Sequence, residues 1–203
     1  MSWQFYYWGP LLFRTKLNNE DVQKLKSICH KDKKKDFRKK LAGIINHEYE
    51  IDNQSYINVM IPYLNYFQEA LLEWYGCKKI NKIEVTAAWV NYMKAGEFNP
   101  PHMHPECDFS SVVFLDIPKE LEEENSKYVG TASGPGSLQF MCGEPMKHSI
   151  NQKTFFPENG DFFIFPGVLR HLVYPFTSNV ERISLAANYS VDIKIHDTDD
   201  NKR

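Results

Sequence analysis

The sequence predicts a mainly β protein, a jelly roll braced by N-terminal helices. After Lys82 the chain falls into short runs rich in β-branched and aromatic residues: IEVTAAWVNYM, SSVVFLDIP, GSLQFMC, FFIFP, HLVYPF and RISLAANYSV. Turn formers separate them at Gly96, Pro118, Gly134–Pro135–Gly136, Gly143, Gly160 and Pro175. Many short strands punctuated by Gly and Pro argue for a sandwich or barrel. Ahead of Lys82 the apolar residues instead recur at helical spacing, which supplies the bracing layer.

The elements follow in order. Residues 1–16 mix aromatics with Gly9 and Pro10 and suggest a strand or extended arm. Asn18 or Asn19 can cap a helix in which Leu25, Ile28 and Cys29 share a face. The charge run KDKKKDFRKK, residues 31–40, reads as a solvated helix face. Phe37, Leu41, Ile44 and Ile45 recur at i, i+4, i+7 and i+8 and predict a short amphipathic helix. From Ser55 to Tyr75 a longer stripe runs through Ile57, Ile61, Leu64, Phe67 or Gln68, Leu71 and Trp74 or Tyr75, with Pro62 near its first turns or kinking it and Gly76 as a stop. The acidic stretch KELEEENSK, residues 119–127, reads as an exposed connection.

The chain has 203 residues, 42% of them hydrophobic and 14% aromatic, enough for one domain with a large core. We expect residues 1–82 to form a helical and extended support and 83–203 the jelly roll with its tail, in one integrated domain. Basic and acidic residues balance, 24 against 26, so no global field points to nucleic acid. No apolar run approaches the roughly 20 residues of a membrane helix, and the N-terminus lacks the pattern of a signal peptide. Cys29, Cys77, Cys107 and Cys142 form no C-x-x-C pair, which suits reduced thiols in a cytosol. A cytoplasmic location is therefore expected. The aromatic N-terminus (Trp3, Phe5, Tyr6, Tyr7, Trp8) could cover the protein's own core or a partner, as in a homodimer.

The chemistry concentrates in WVNYMKAGEFNPPHMHPECDFSSVVFLD, residues 89–116. In an extended backbone i and i+2 point to one side, so His102 and His104 can face one point, with Glu106 and Asp108 close behind. Two imidazoles and a third ligand suit a borderline divalent metal such as iron, zinc or copper. Downstream, in ENGDFFIFPGVLRHLVYPFTSNVERISLAANYS, His171 opens a strand and Arg182 follows eleven residues later. Arg182 and Ser184 share a strand face. A buried guanidinium needs an anion, either a protein carboxylate or a bound one. His30, His47, His148 and His196 sit in segments that read as solvated or structural.

These passages together resemble the Fe(II)- and 2-oxoglutarate-dependent oxygenases: a His-x-acid motif, a distal His and an Arg-x-Ser about ten residues beyond, on a double-stranded β-helix. Over about residues 83–192 they look more closely like a subfamily of small oxygenases of marine bacteria and phages with an H-x-H-P motif. The resemblance implies Fe(II) as cofactor, 2-oxoglutarate and O2 as co-substrates, and hydroxylation of a C–H bond in a peptide side chain or small metabolite. It makes His102 the proximal and His171 the distal ligand. His104 stands where the superfamily places a carboxylate, so either three histidines hold the metal or Glu106 or Asp108 reaches in. Arg182 and Ser184 would hold the distal carboxylate of 2-oxoglutarate, with Asn91 lining the pocket. Two other readings compete: a cupin-like three-histidine dioxygenase that needs no 2-oxoglutarate, and a jelly-roll binding module without turnover.

Overall fold

The computed structural model describes residues 9–76 and 79–194. The aromatic residues at positions 3–8, Cys77 and His196 lie outside them. Strand β1 (Phe13–Lys16) leads to helix α1 (Asn19–Ile28), whose Asn18 cap accepts from the Asp21 N–H, and then to β2 (Glu48–Glu50) and helix α2 (Asn53–Tyr75). The Asp52 side chain caps α2 by accepting from Ser55 N, and Gly76, at φ 61°, closes it in the left-handed conformation that glycine adopts without strain. Pro62 lies inside α2. Strands β3 (Lys79–Lys94), β4 (Asn99–His102) and β5 (Phe109–Asp116) follow, then α3 (Lys119–Ser126) and β6 (Leu138–Met141). The rest is β7 (Gln152–Phe155), β8 (Asp161–Pro166), β9 (Arg170–Val173) and β10 (Glu181–Lys194).

The strands form two antiparallel sheets, a six-stranded one in the order β1-β8-β5-β10-β3-β2 and a four-stranded one in the order β4-β9-β6-β7. Strand β8 shows how the layers are made. Its run FFIF is buried on both faces, with Phe162 and Ile164 joining the helix-side core and Phe163 and Phe165 the core between the sheets. The helix-side core sets Leu25 of α1 and Tyr56, Met60, Phe67 and Leu71 of α2 against Val90, Val113 and Leu185. The inter-sheet core joins Phe114 and Phe163 of the large sheet to Leu138, Phe140 and Val173 of the small one. At the sheet edge Arg14 clamps β1 to β8 with two bonds, 3.0 and 3.1 Å, to the buried Asp161 carboxylate.

Two local expectations are corrected. Residues 31–45 form no amphipathic helix, only 3-10 turns at Lys33–Lys35 and Arg38–Lys40. The carboxylates of Asp32 and Asp36 take the N–H groups of Lys34 and Arg38, giving the backbone a turn in place of a helix. Ile44 is exposed, while Phe37 packs on Trp89 and Ile45 joins a different cluster with Met93. Residues 119–126, expected as a connection, are the helix α3, with Leu121 fully buried.

Candidate active site

Each strand brings one part of the site. Strand β4 ends on His102, which pairs across the small sheet with His171 of β9. His104 follows two residues on, held where its N–H donates to Gly167 O at 2.7 Å. The imidazole centroids are 4.2 Å (His102–His171), 5.1 Å (His102–His104) and 5.3 Å (His104–His171) apart. One ring nitrogen from each lies within 4.8 Å of the others. Backbone carbonyls orient two of the rings. His102 Nδ1 meets Pro100 O at 2.7 Å and His171 Nδ1 meets Leu169 O at 2.9 Å. A carbonyl only accepts, so each Nδ1 carries the hydrogen and Nε2 keeps its lone pair for a metal. Burial lowers the pKa of all three, His104 to about 4 and His171 to about 3, with repulsion from His102 adding to both. Neutral imidazoles are the form that ligates.

The alternative carboxylates lie outside this cluster. Asp108 accepts from Val191 N, which turns it away, and Glu106 accepts from Asn188 Nδ2 at 3.1 Å. Glu106 Oε1 still reaches to 3.7 Å from His104 Nδ1.

Across the cavity stands the large sheet. Register places Asn91 of β3 opposite Ser184 of β10, and Arg182 opposite Met93. The register of β10 against β5 shifts between Ile183 and Ser184, a bulge beside Arg182 of the kind that re-aims a side chain next to a site. Arg182 is 1% exposed, donates from Nη1 to Gly136 O at 3.1 Å and lies 5.4 Å from the centre of the Phe114 ring. Burial lowers its pKa to about 10, which leaves it a cation at neutral pH. Among the described residues no carboxylate pairs with it, and its Nε has no partner.

Three buried side-chain atoms among the described residues lack a hydrogen-bond partner: Arg182 Nε, Asn91 Oδ1 and Glu48 Oε2. All three residues line the cavity that holds the histidines. Unpaired buried polar groups are costly, so their collection in one place marks it as built for ligands.

Residues 87–188, half of the chain, match the family model described as "Putative 2OG-Fe(II) oxygenase". The chain belongs to the 2OG-Fe(II) oxygenase family. It is thus a 2-oxoglutarate-dependent dioxygenase that works with Fe(II) and O2. The fold agrees. A prolyl-4-hydroxylase of Pseudomonas putida superposes with a TM-score of 0.55 at 15% identity, covering 88% of this chain and 91% of that one. The viral collagen prolyl hydroxylase of Paramecium Bursaria Chlorella virus-1, solved as its 2OG complex, gives 0.55 at 13% identity over 90% and 96%. HygX of Streptomyces hygroscopicus, with nickel and 2-oxoglutarate bound, gives 0.52 at 10% over 88% and 82%. No curated protein matches the sequence.

The donor set fits the family's metal, and the unpaired Arg182 fits an anionic co-substrate. Sequence reasoning missed two contributors. Gly167 is one: a Cβ there would lie 2.5 Å from the carbonyl oxygens of both His104 and Cys107, so only glycine allows the close approach that seats His104. The FPG turn after a strand was its only signal. Glu48 is the other, buried on an edge strand between the two stretches read as helical, with no signal at all. Among the described residues no helix is long and apolar enough to cross a membrane.

Proposed function

We propose that His102, His104 and His171 hold the Fe(II), that Arg182 and Ser184 receive the distal carboxylate of 2-oxoglutarate, and that the reaction hydroxylates a C–H bond of a peptide side chain or small metabolite. The observation that carries this reading is Arg182. It is a fully buried cation with no protein anion among the described residues, in the same cavity as three converging imidazoles. The cupin-like reading gives it no catalytic role.

Bound Fe(II) supplies oxygen activation driven by decarboxylation of 2-oxoglutarate, one oxygen atom ending in succinate and the other on the substrate. The chain's own residues bind, orient and exclude water. The guanidinium of Arg182 offers a planar fork that matches a carboxylate, and its Nε–H awaits an acceptor. Ser184, 2% exposed and on the same strand face, adds a hydroxyl donor. The carbonyls of Pro100 and Leu169 fix the rings of His102 and His171, and Glu106 stands behind His104. Phe140 and Phe165 pack against His171, with ring centres at 6.1 and 4.6 Å, and keep that side of the site dry. Three neutral ligands would leave a bound divalent metal one unit more positive than a set with a carboxylate.

We infer a cytosolic setting from Cys29, Cys107 and Cys142, which are free thiols. The test of the function is anaerobic addition of 2-oxoglutarate to Fe(II)-loaded protein. A weak visible charge-transfer band is expected. Bound iron without the band would remove the co-substrate assignment, and no iron binding would remove the metal site.

A further inference from the structure

The cavity has two chemically opposite ends. Arg182 and Ser184 offer donors. Glu48 and Asn91 offer acceptors, and these are the orphans that 2-oxoglutarate cannot satisfy, since it presents acceptors and negative charge itself. Glu48 of β2 sits directly opposite Asn91 of β3, and Asn91 opposite Ser184 of β10, so the three form one cross-strand row running from the sheet edge toward the co-substrate end. Glu48 is 1% exposed and lines the cavity together with the three histidines.

A buried carboxylate usually has a structural partner, and the neighbouring Glu97 shows what that looks like. Glu97, 7% exposed, accepts from Asn46 N, Asn46 Nδ2 and Lys94 N. Among the described residues Glu48 Oε2 accepts from nothing. Arg38, the cation nearest in effect, is already held in a fork by Asp36, with contacts of 2.6 and 3.0 Å. The metal-ligand cluster does not include Glu48, and strand β2 lies outside the residues that the family model matches. Gly43 passes this end so closely that a Cβ would stand 3.1 Å from Glu48 Oε1 and 2.4 Å from Asn99 Oδ1, so backbone and not a side chain packs there.

We propose that Glu48, with Asn91 Oδ1 beside it, is the specificity-determining anchor for the prime substrate, and that the substrate carries a protonated nitrogen, an ammonium or guanidinium group. This rests on the co-substrate occupying the Arg182 end. Two unpaired acceptors, one of them a carboxyl, call for a multiple donor with positive charge. The Glu48 carboxyl, pushed up to about 7 by burial and by the charge of Glu97, is relieved when such a cation arrives. The lysines at positions 33–35, 39 and 40 are exposed, so solvent screens them, whereas the contact at Glu48 is screened little.

The test is binding, read by NMR titration of Mn(II)- and 2-oxoglutarate-loaded protein. The probes are butylammonium and methylguanidinium, with butanol and butyrate as neutral and anionic controls. Nα-acetyl-lysine amide and Nα-acetyl-arginine amide are added to distinguish a free amine from a peptide side chain. Wild type is expected to bind the cations in preference to both controls and to broaden their resonances through the nearby Mn(II). Glu48→Gln should weaken cation binding by about 10- to 100-fold, and Glu48→Asp should restore part of it. Tighter binding of the acetylated amides than of the bare cations assigns a peptide source, and the reverse a free metabolite. Thermal midpoints of the ligand-free variants complete the test. Glu48→Gln is expected to melt no lower than wild type, because it removes an unpartnered buried carboxylate. No cation preference in wild type, a preference that Glu48→Gln leaves intact, or a clear loss of stability in Glu48→Gln would each overturn the proposal. A wild-type titration with 2-oxoglutarate alone, run in parallel, reports separately on the co-substrate reading.

Discussion

If Arg182 holds 2-oxoglutarate as proposed, replacing it by Ala strands the distal carboxylate in a dry pocket. The side chain is 1% exposed, and its one protein acceptor, Gly136 O at 3.1 Å, leaves the rest of the fork for a ligand. Truncating one partner of a buried, hydrogen-bonded charge pair costs about 2–5 kcal/mol, much of it from the charge left unpaired. At about 1.4 kcal/mol per decade, the KM for 2-oxoglutarate should rise by roughly 30- to 4,000-fold. Iron content should not follow, because Arg182 stands on the large sheet and the histidine cluster on the small one and its flanking loop. Arg182→Lys should recover only part of the loss, since an ammonium keeps the charge but not the planar fork. It also controls for the hole that alanine leaves against Phe114. The assay is succinate formation without prime substrate across a range of 2-oxoglutarate concentrations, with metal analysis on each folded variant. A 2-oxoglutarate dependence in Arg182→Ala equal to that of wild type would show that the cation serves the fold and not the co-substrate.

Three further outcomes are expected. His171→Ala should lose iron and 2-oxoglutarate decarboxylation while keeping the wild-type circular dichroism; near-normal iron in the folded variant takes His171 out of the site. His104→Ala should weaken iron binding far more than Glu106→Ala or Asp108→Ala, judged by metal retention after dialysis. If Glu106→Ala loses the metal and His104→Ala keeps it, the carboxylate is the ligand. Gly167→Ala should cost roughly 1–3 kcal/mol in denaturant unfolding, by overpacking against the carbonyls of His104 and Cys107, and should weaken metal binding as well, because the bond that seats His104 is lost. Unaltered metal affinity in that variant would show that His104 is positioned without Gly167.

The residues proposed for the metal and the co-substrate stood out through strand parity and spacing, although His104 lies past the end of β4 and is seated by Gly167. Arg182 and Ser184 point one way whatever surrounds them, and a histidine opening a strand eleven residues earlier is easy to find. The helix-like spacing of Phe37, Leu41 and Ile45 misled because periodicity records which residues are apolar and not whether they bury together. Phe37 goes to Trp89 and Ile45 to Met93, and the two aspartates take the N–H groups that a helix would need. For residues 119–126, Pro118 ahead of Glu120 and Glu122 was an available helix start, outweighed by the density of charge. Glu48 had no signal. A buried carboxylate on an edge strand reads in sequence like any exposed glutamate, and only the register of β2 against β3 turns it inward.

The placement of β10 also constrains how the protein is made. This strand lies in the middle of the large sheet, between β3 and β5, yet it emerges from the ribosome about 90 residues after β3 ends. At about 5–20 residues per second, β3 waits on the order of five to twenty seconds for its principal neighbour. Once β8 has been made and until β10 arrives, the sheet consists of two halves, β2–β3 and β5–β8–β1, each with a bare edge open to other nascent chains. A chain cut between residues 166 and 181 has those two halves and nothing to join them. Arg182 and Ser184 ride on the joining strand, so the seat proposed for the co-substrate is completed by the same event that closes the sheet.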